Sequence, residues 1–165
     1  MPLLRPLAEI MAKVTRASIV LAALMMLACL VYQVVMRYVF SAASSWSEEL
    51  ALLLFGWTVL AGLALGVHEG YHVRLTMLLD PLPQGAKILA ERIIDLITAA
   101  LGGFIVWAGI RFMDVTAGSV SAAMEYPIEL LNIMAPLCGG LMALFGLERA
   151  LRPGGATAAA EQPVL

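Results

Sequence analysis

The eighteen residues from Leu50 to Val67 carry no charge, and Glu48-Glu49 and His68-Glu69 bound them at either end. At about 1.5 Å rise per residue, a helix of that length crosses most of a hydrocarbon layer about 30 Å thick. Three other apolar segments have similar reach: Ala17–Met36, Leu130–Leu147, and Leu96–Ile110 with a helical lead-in from Ile88. The strands of a membrane barrel would be alternating segments of about ten residues, so these runs predict helices. The expectation is an all-α membrane protein with four transmembrane helices, over about 15–37, 48–68, 88–112 and 128–149. They form a single domain, 1–152, followed by a disordered cytoplasmic tail, 153–165, rich in Ala, Gly and Pro.

Composition excludes a water-soluble fold. Hydrophobic residues make up 62% of the 165 and charged ones 13%, against about 45–50% and about 25% in soluble domains. No basic patch suits nucleic acid. Cys29 and Cys138 fall inside apolar runs, without a CxxC pair, and read as small buried hydrophobes. The run Ala17–Met36 is longer than a signal-peptide core of about 7–15 residues, so it reads as a retained signal-anchor helix.

Basic residues set the expected orientation. With four spans, Arg5, Lys13, Arg16, Arg74, Lys87, Arg92, Arg149 and Arg152 share one side, and Arg37 and Arg111 the other. That asymmetry predicts cytoplasmic termini, with Glu48 and Glu49 outside and His68 and His72 inside. Between the second and third spans, Val73, Leu75, Met77, Leu78 and Leu79 alternate with polar residues before Pro81 and Pro83. This is too short to span and suits a segment lying at the interface. Early in the third helix, Lys87/Glu91 and Arg92/Asp95 are spaced to pair on the helix surface.

Several residues are candidates for binding. Glu48 and Glu49 open the second helix, where exposed amides favour carboxylates and Ser45 or Ser47 can serve as a cap. Alternatively they form an outer ion-pairing cluster with Arg37, which ends the first uncharged run. Trp46 reads as a membrane-boundary residue. His68 and His72 share a helix face, but no further ligands stand at their depth, which argues against metal or haem and for interfacial anchoring or partner contact. Thr58, Gly62, Gly66 and Gly70 recur every fourth residue, a small-residue stripe on which another helix packs closely. Leucine at Gly66 is then expected to do more harm than leucine at Ala64, on the other side of the helix. Gln33 and Asn132 are polar but uncharged, and Pro136 with Gly139-Gly140 is the one candidate helix break. Ion and substrate pathways are marked by intramembrane acids, bases and broken helices. Their scarcity points to a subunit rather than a self-sufficient pump.

Residues 37–83 carry a family pattern. Arg37-Tyr38-Val39-Phe40, Trp46-Ser47-Glu48-Glu49-Leu50, Trp57 and Gly62, His68 or His72-Val73, and Leu82-Pro83 together resemble the small membrane subunit of tripartite ATP-independent periplasmic (TRAP) transporters, the DctQ-like family. Ser121 through Pro127 to Pro136 is similar to that family's approach to helix four. The resemblance implies a non-enzymatic, cofactor-free inner-membrane protein that scaffolds a large membrane subunit. That partner performs sodium-coupled uptake of an organic acid delivered by a periplasmic solute-binding protein. On this reading Arg37, Trp46, Glu48, Glu49, Trp57, the stripe, His68, His72 and Arg74 are the partner-interface or docking candidates. Other readings are a four-helix redox or haem-binding protein, disfavoured by the absence of central histidines, and a small multidrug exporter, disfavoured by the absence of an acid in helix one.

Overall fold

A computed structural model describes residues 4–42, 44–70 and 84–151. It is all-helical: α1 (Leu4–Val39), α2 (Ser45–Glu69), α3 (Gln84–Thr116), the short α4 (Glu129–Asn132) and α5 (Met134–Ala150). Four stretches are long and apolar enough to cross a membrane: Pro6–Val39, Ser45–Glu69, Gly85–Thr116 and Glu129–Ala150, the last combining α4 and α5. His72, Arg74, the interfacial segment and the tail lie outside the described residues.

Two helices are longer than their uncharged runs. The 36 residues of α1 and 33 of α3 would measure about 54 and 50 Å at about 1.5 Å per residue, well beyond a hydrocarbon layer of about 30 Å. In α1 the excess is the segment before Ala17. There Ala8, Ala12 and Thr15 are buried, one face of a helix at three- to four-residue spacing. Ala8 and Ala12 meet Val67 of α2 and Phe145 of α5 in a small core at the end of the bundle that holds the first turns of α1 and the last of α5. We call this the terminal end, and the opposite one, with the α1–α2 turn, the hairpin end.

The helices are arranged in the order α1, α2, α5, α3, each packed chiefly on the next. Glycine sets the closest approach, between α3 and α5. A Cβ on Gly102 would lie 2.6 Å from the backbone nitrogen of Ala143 and 2.7 Å from the carbonyl oxygen of Gly139. Gly109 meets the ring of Pro136 in the same way, and Gly146 meets the backbone of Ala99. In lipid, helix association rests on such close van der Waals contact, because lipid tails are as apolar as the side chains.

Pro136 breaks the fourth span one turn before itself. A proline has no N–H to give the carbonyl four residues back and crowds it sterically. The interruption accordingly falls between Asn132 and Met134. Gly139, expected to share in the break, is instead a packing residue of the α3 seam. At the start of α2, Ser44 occupies the cap position without a side-chain cap bond. Neither Ser45 nor Ser47 caps the helix: Ser47 is fully buried, and its hydroxyl donates to the Ser44 carbonyl at 2.8 Å.

Candidate partner-interface sites at the two ends of the bundle

At the hairpin end, α1 and α2 bring Arg37 and Glu48 together, Nη2 to Oε1 3.7 Å. Both are more than half exposed, so the pair contributes about 0–1 kcal/mol at most. Trp46 lies beside Tyr32 of α1, ring centroids 5.4 Å apart. A cleft of about 180 Å³ beside them is lined by Gln33, Val34, Arg37, Tyr38, Ser44 and Glu48.

Glu49 departs from the expected three-residue cluster. Its carboxylate turns to the α3–α4 connection and accepts the backbone N–H groups of Ala122 (3.2 Å), Ala123 (3.3 Å) and Met124 (2.8 Å). Its neighbour in sequence projects elsewhere because successive helical residues do not share a face. The connection it holds is a reverse turn: Ser121 N–H donates to the Tyr126 carbonyl at 2.9 Å, and Ile128 N–H to the Ser119 carbonyl at 2.9 Å. Glu129 accepts the Gly118 N–H at 2.8 Å, and Asn132 donates to the Thr116 hydroxyl at 2.7 Å. Glu125 sits at φ 55°, a left-handed backbone that non-glycine residues seldom adopt. Two carboxylates, from α2 and α4, therefore fix this turn. The run Ser121-Ala122-Ala123 gave no hint of its acceptor.

Within the membrane-spanning part of α2, Trp57 donates through Nε1 to the Ser18 hydroxyl of α1 at 3.2 Å. It is a link inside this chain. The Thr58 hydroxyl donates back to the Leu54 carbonyl at 2.8 Å. Gly62 and Gly66 have no neighbouring atom within 4 Å of where a Cβ would stand, so their face of α2 is open among the described residues. The face that is packed carries Ala61 and Ala64, both at 0% exposure. This corrects the expected contrast: leucine at Ala64 would collide with this chain's own core, whereas leucine at Gly66 would not.

The terminal end holds ionic contacts between helices far apart in sequence. Asp95 is buried, whereas Arg92, its expected partner on the helix surface, is exposed. Asp95 accepts from Nε of Arg149 on α5 at 3.1 Å, with both side chains 7% exposed. Glu91 and Glu148 are buried nearby in sequence, at 2% and 5%. Gly70 ends α2 at φ 77°, and a Cβ there would run into Nη1 of Arg149. Arg149 thus stands where α2, α3 and α5 converge. Arg16 of α1 pairs with Glu69 of α2. His68 is packed edge-on against Phe145, centroids 4.9 Å apart, which makes it an inward contact rather than an exposed anchor. Among the described residues, no group of three or more His, Cys, Asp or Glu side chains is arranged to hold a metal ion.

The sequence comparison decides what such a bundle is for. Residues 26–153 match the family model described as Tripartite ATP-independent periplasmic transporters, DctQ component. The chain belongs to this family. As a DctQ protein it is a multi-pass membrane component of a transport system and not an enzyme, which displaces the haem-binding and multidrug-exporter readings. It is 28% identical over 124 residues to the sialic acid TRAP transporter small permease protein SiaQ of Vibrio cholerae, covering 75% of this chain and 72% of that one. It is 22% identical over 130 residues to the ectoine TRAP transporter small permease protein TeaB of Halomonas elongata, covering 78% and 67%. It also matches the isethionate TRAP transporter permease protein DctMQ of Oleidesulfovibrio alaskensis, 24% identical over 63% of this chain but only 17% of that longer protein.

Proposed function

We propose that this DctQ protein is the scaffold for a large TRAP membrane subunit in sodium-coupled, binding-protein-dependent uptake of an organic acid. The observation that carries the scaffold role is the glycine face of α2, where none of the described residues fills the space beside Gly62 and Gly66. Residues 1–152 act as one membrane domain whose own close packing is spent between α3 and α5. The Thr58–Gly62–Gly66 face takes a helix of the large subunit. Arg37, Trp46 and Glu48, at the hairpin end, meet the periplasmic solute-binding protein or the large subunit beside it. Sialic acid, ectoine and isethionate, named for the relatives, each bear a carboxylate or sulfonate, which supports a solute carrying such an anionic group.

The test is co-purification with the large permease expected to be encoded beside this chain. A tagged parent should retain that subunit through detergent extraction. Gly66→Leu should lower its recovery about tenfold, equivalent to about 1.4 kcal/mol of lost association. Ala100→Leu, on an exposed position of α3, should leave recovery near parental. Equal recovery in both variants would remove the stripe from the interface.

Orientation follows from the eight-to-two asymmetry of basic residues, which puts the terminal end in the cytoplasm. A reporter active only in the periplasm should be silent when fused at Leu165 and active when inserted at Gly118. The reverse pattern would invert the topology and detach Arg37 and Glu48 from any periplasmic partner.

A further inference from the structure

One face of α1 joins exposed cations to an exposed apolar track. Lys13, Arg16, Ala17, Val20, Leu21 and Leu24 line a shallow groove of about 450 Å³ along the helix. Positions 13, 16/17, 20/21 and 24 are successive turns of one face. Val20, Leu21 and Leu24 are 55%, 60% and 61% exposed, so no other part of this chain covers them. From Lys13 to Leu24 the helix rises about 16 Å at about 1.5 Å per residue, close to half of a hydrocarbon layer of about 30 Å. The cations sit where the uncharged run Ala17–Met36 begins, at the depth of lipid headgroups.

The two cations differ in what they have left to offer. Arg16 gives Nη2 to Glu69 yet its side chain remains 64% exposed, and a guanidinium has five N–H donors. Lys13 is exposed and makes no hydrogen bond or ion pair among the described residues. Among the described residues that ammonium has no counter-ion, and the apolar track beneath it has no cover.

We propose that this groove binds an anionic glycerophospholipid of the leaflet at the terminal end, its phosphate on Lys13 and the free donors of Arg16, one acyl chain along Val20, Leu21 and Leu24. Charge complementarity selects the headgroup, since juxtamembrane cations attract anionic lipids. The apolar track beside the cations, with Val20, Leu21 and Leu24 more than half exposed, selects a lipid over free phosphate.

The experiment is lipid retention. The full-length chain is assembled in nanodiscs of equal parts phosphatidylglycerol and phosphatidylcholine, released, and analysed by native mass spectrometry. The parent should retain phosphatidylglycerol over phosphatidylcholine. Lys13→Ala should reduce that preference about fivefold, the effect of one juxtamembrane cation, and Lys13→Arg should restore it. Arg111→Ala, exposed at the other end, should change nothing. Equal retention of the two lipids by the parent, or an unaltered preference in Lys13→Ala, overturns the proposal. So does displacement of the lipid by millimolar inorganic phosphate, which would mark an anion site without an acyl-chain contribution.

Discussion

Asp95→Ala should destabilise this chain more than any other single charge removal. It leaves the Arg149 guanidinium at the meeting point of three helices with its carboxylate gone. Both side chains are 7% exposed, so solvent cannot replace the lost partner. Removing one member of a buried ion pair costs about 3–5 kcal/mol, because the remaining charge stays desolvated and uncompensated. Thermal unfolding of the detergent-solubilised chain, followed by circular dichroism, should show a large downward shift for Asp95→Ala and for Arg149→Ala. The double variant Asp95→Leu/Arg149→Leu should recover much of the loss, since a packed apolar pair of similar volume has no charge to solvate. Parental melting of both single variants would mean that the contact between α3 and α5 does not depend on the pair.

The second large effect is expected at adjacent glycines and should differ in sign. In Gly102→Ala the added methyl would stand 2.6 Å from the backbone nitrogen of Ala143 and 2.7 Å from the Gly139 carbonyl oxygen. Both obstacles are main chain, so no rotamer change relieves the collision and α3 must move away from α5. Overpacking of this kind costs about 1–3 kcal/mol, occasionally more. Gly103 has nothing within 4 Å of its missing Cβ. Gly103→Ala should therefore be neutral or stabilising by up to about 1 kcal/mol, the helix-propensity gain of alanine over glycine. Melting temperatures of the two variants test this directly. If both shift in the same direction, the α3–α5 seam is not the close contact described.

Those two expectations come from features that the sequence displays only in part. The four spans were legible because an uncharged run of about twenty residues has few other folds open to it. The extension of α1 was less so, since its first turns are held by Ala8 and Ala12 against residues of α2 and α5 distant in sequence. The nearness of Arg37 and Glu48 followed from membrane depth alone, because a short turn joins the two helices that carry them. For Asp95, spacing along the chain offered only Arg92, the cation close in sequence. The Asp95 contact with Arg149 reaches across 54 residues, and only the adjacency of α3 and α5 selects it. Depth was an available clue: Asp95 and Arg149 both border uncharged runs on the same side of a four-span chain.

The glycine pattern shows a similar division. A period of four marks a helix face without bulk, but not which small-residue face a neighbour uses. In α2 the four-residue series Gly62–Gly66 is open, and Ala61 and Ala64 are buried. The close seam is built from Gly102 and Gly109 on α3 facing Gly139 and Gly146 on α5, each pair seven residues apart. That spacing keeps both members of a pair on one helix face, and it was present in the sequence without being singled out. Glu49 shows what sequence spacing cannot supply: the donors to its carboxylate are bare backbone N–H groups of a turn more than seventy residues on.

The scaffold reading rests on this chain having no transport path of its own, and proteoliposome uptake tests it most directly. Vesicles would carry this chain alone, the large subunit alone, or both, each with an inward sodium gradient, the periplasmic solute-binding protein and a labelled organic acid. The account predicts uptake in vesicles holding both subunits and none above empty vesicles with this chain alone. Uptake by this chain alone, or full uptake by the large subunit without it, would contradict the account.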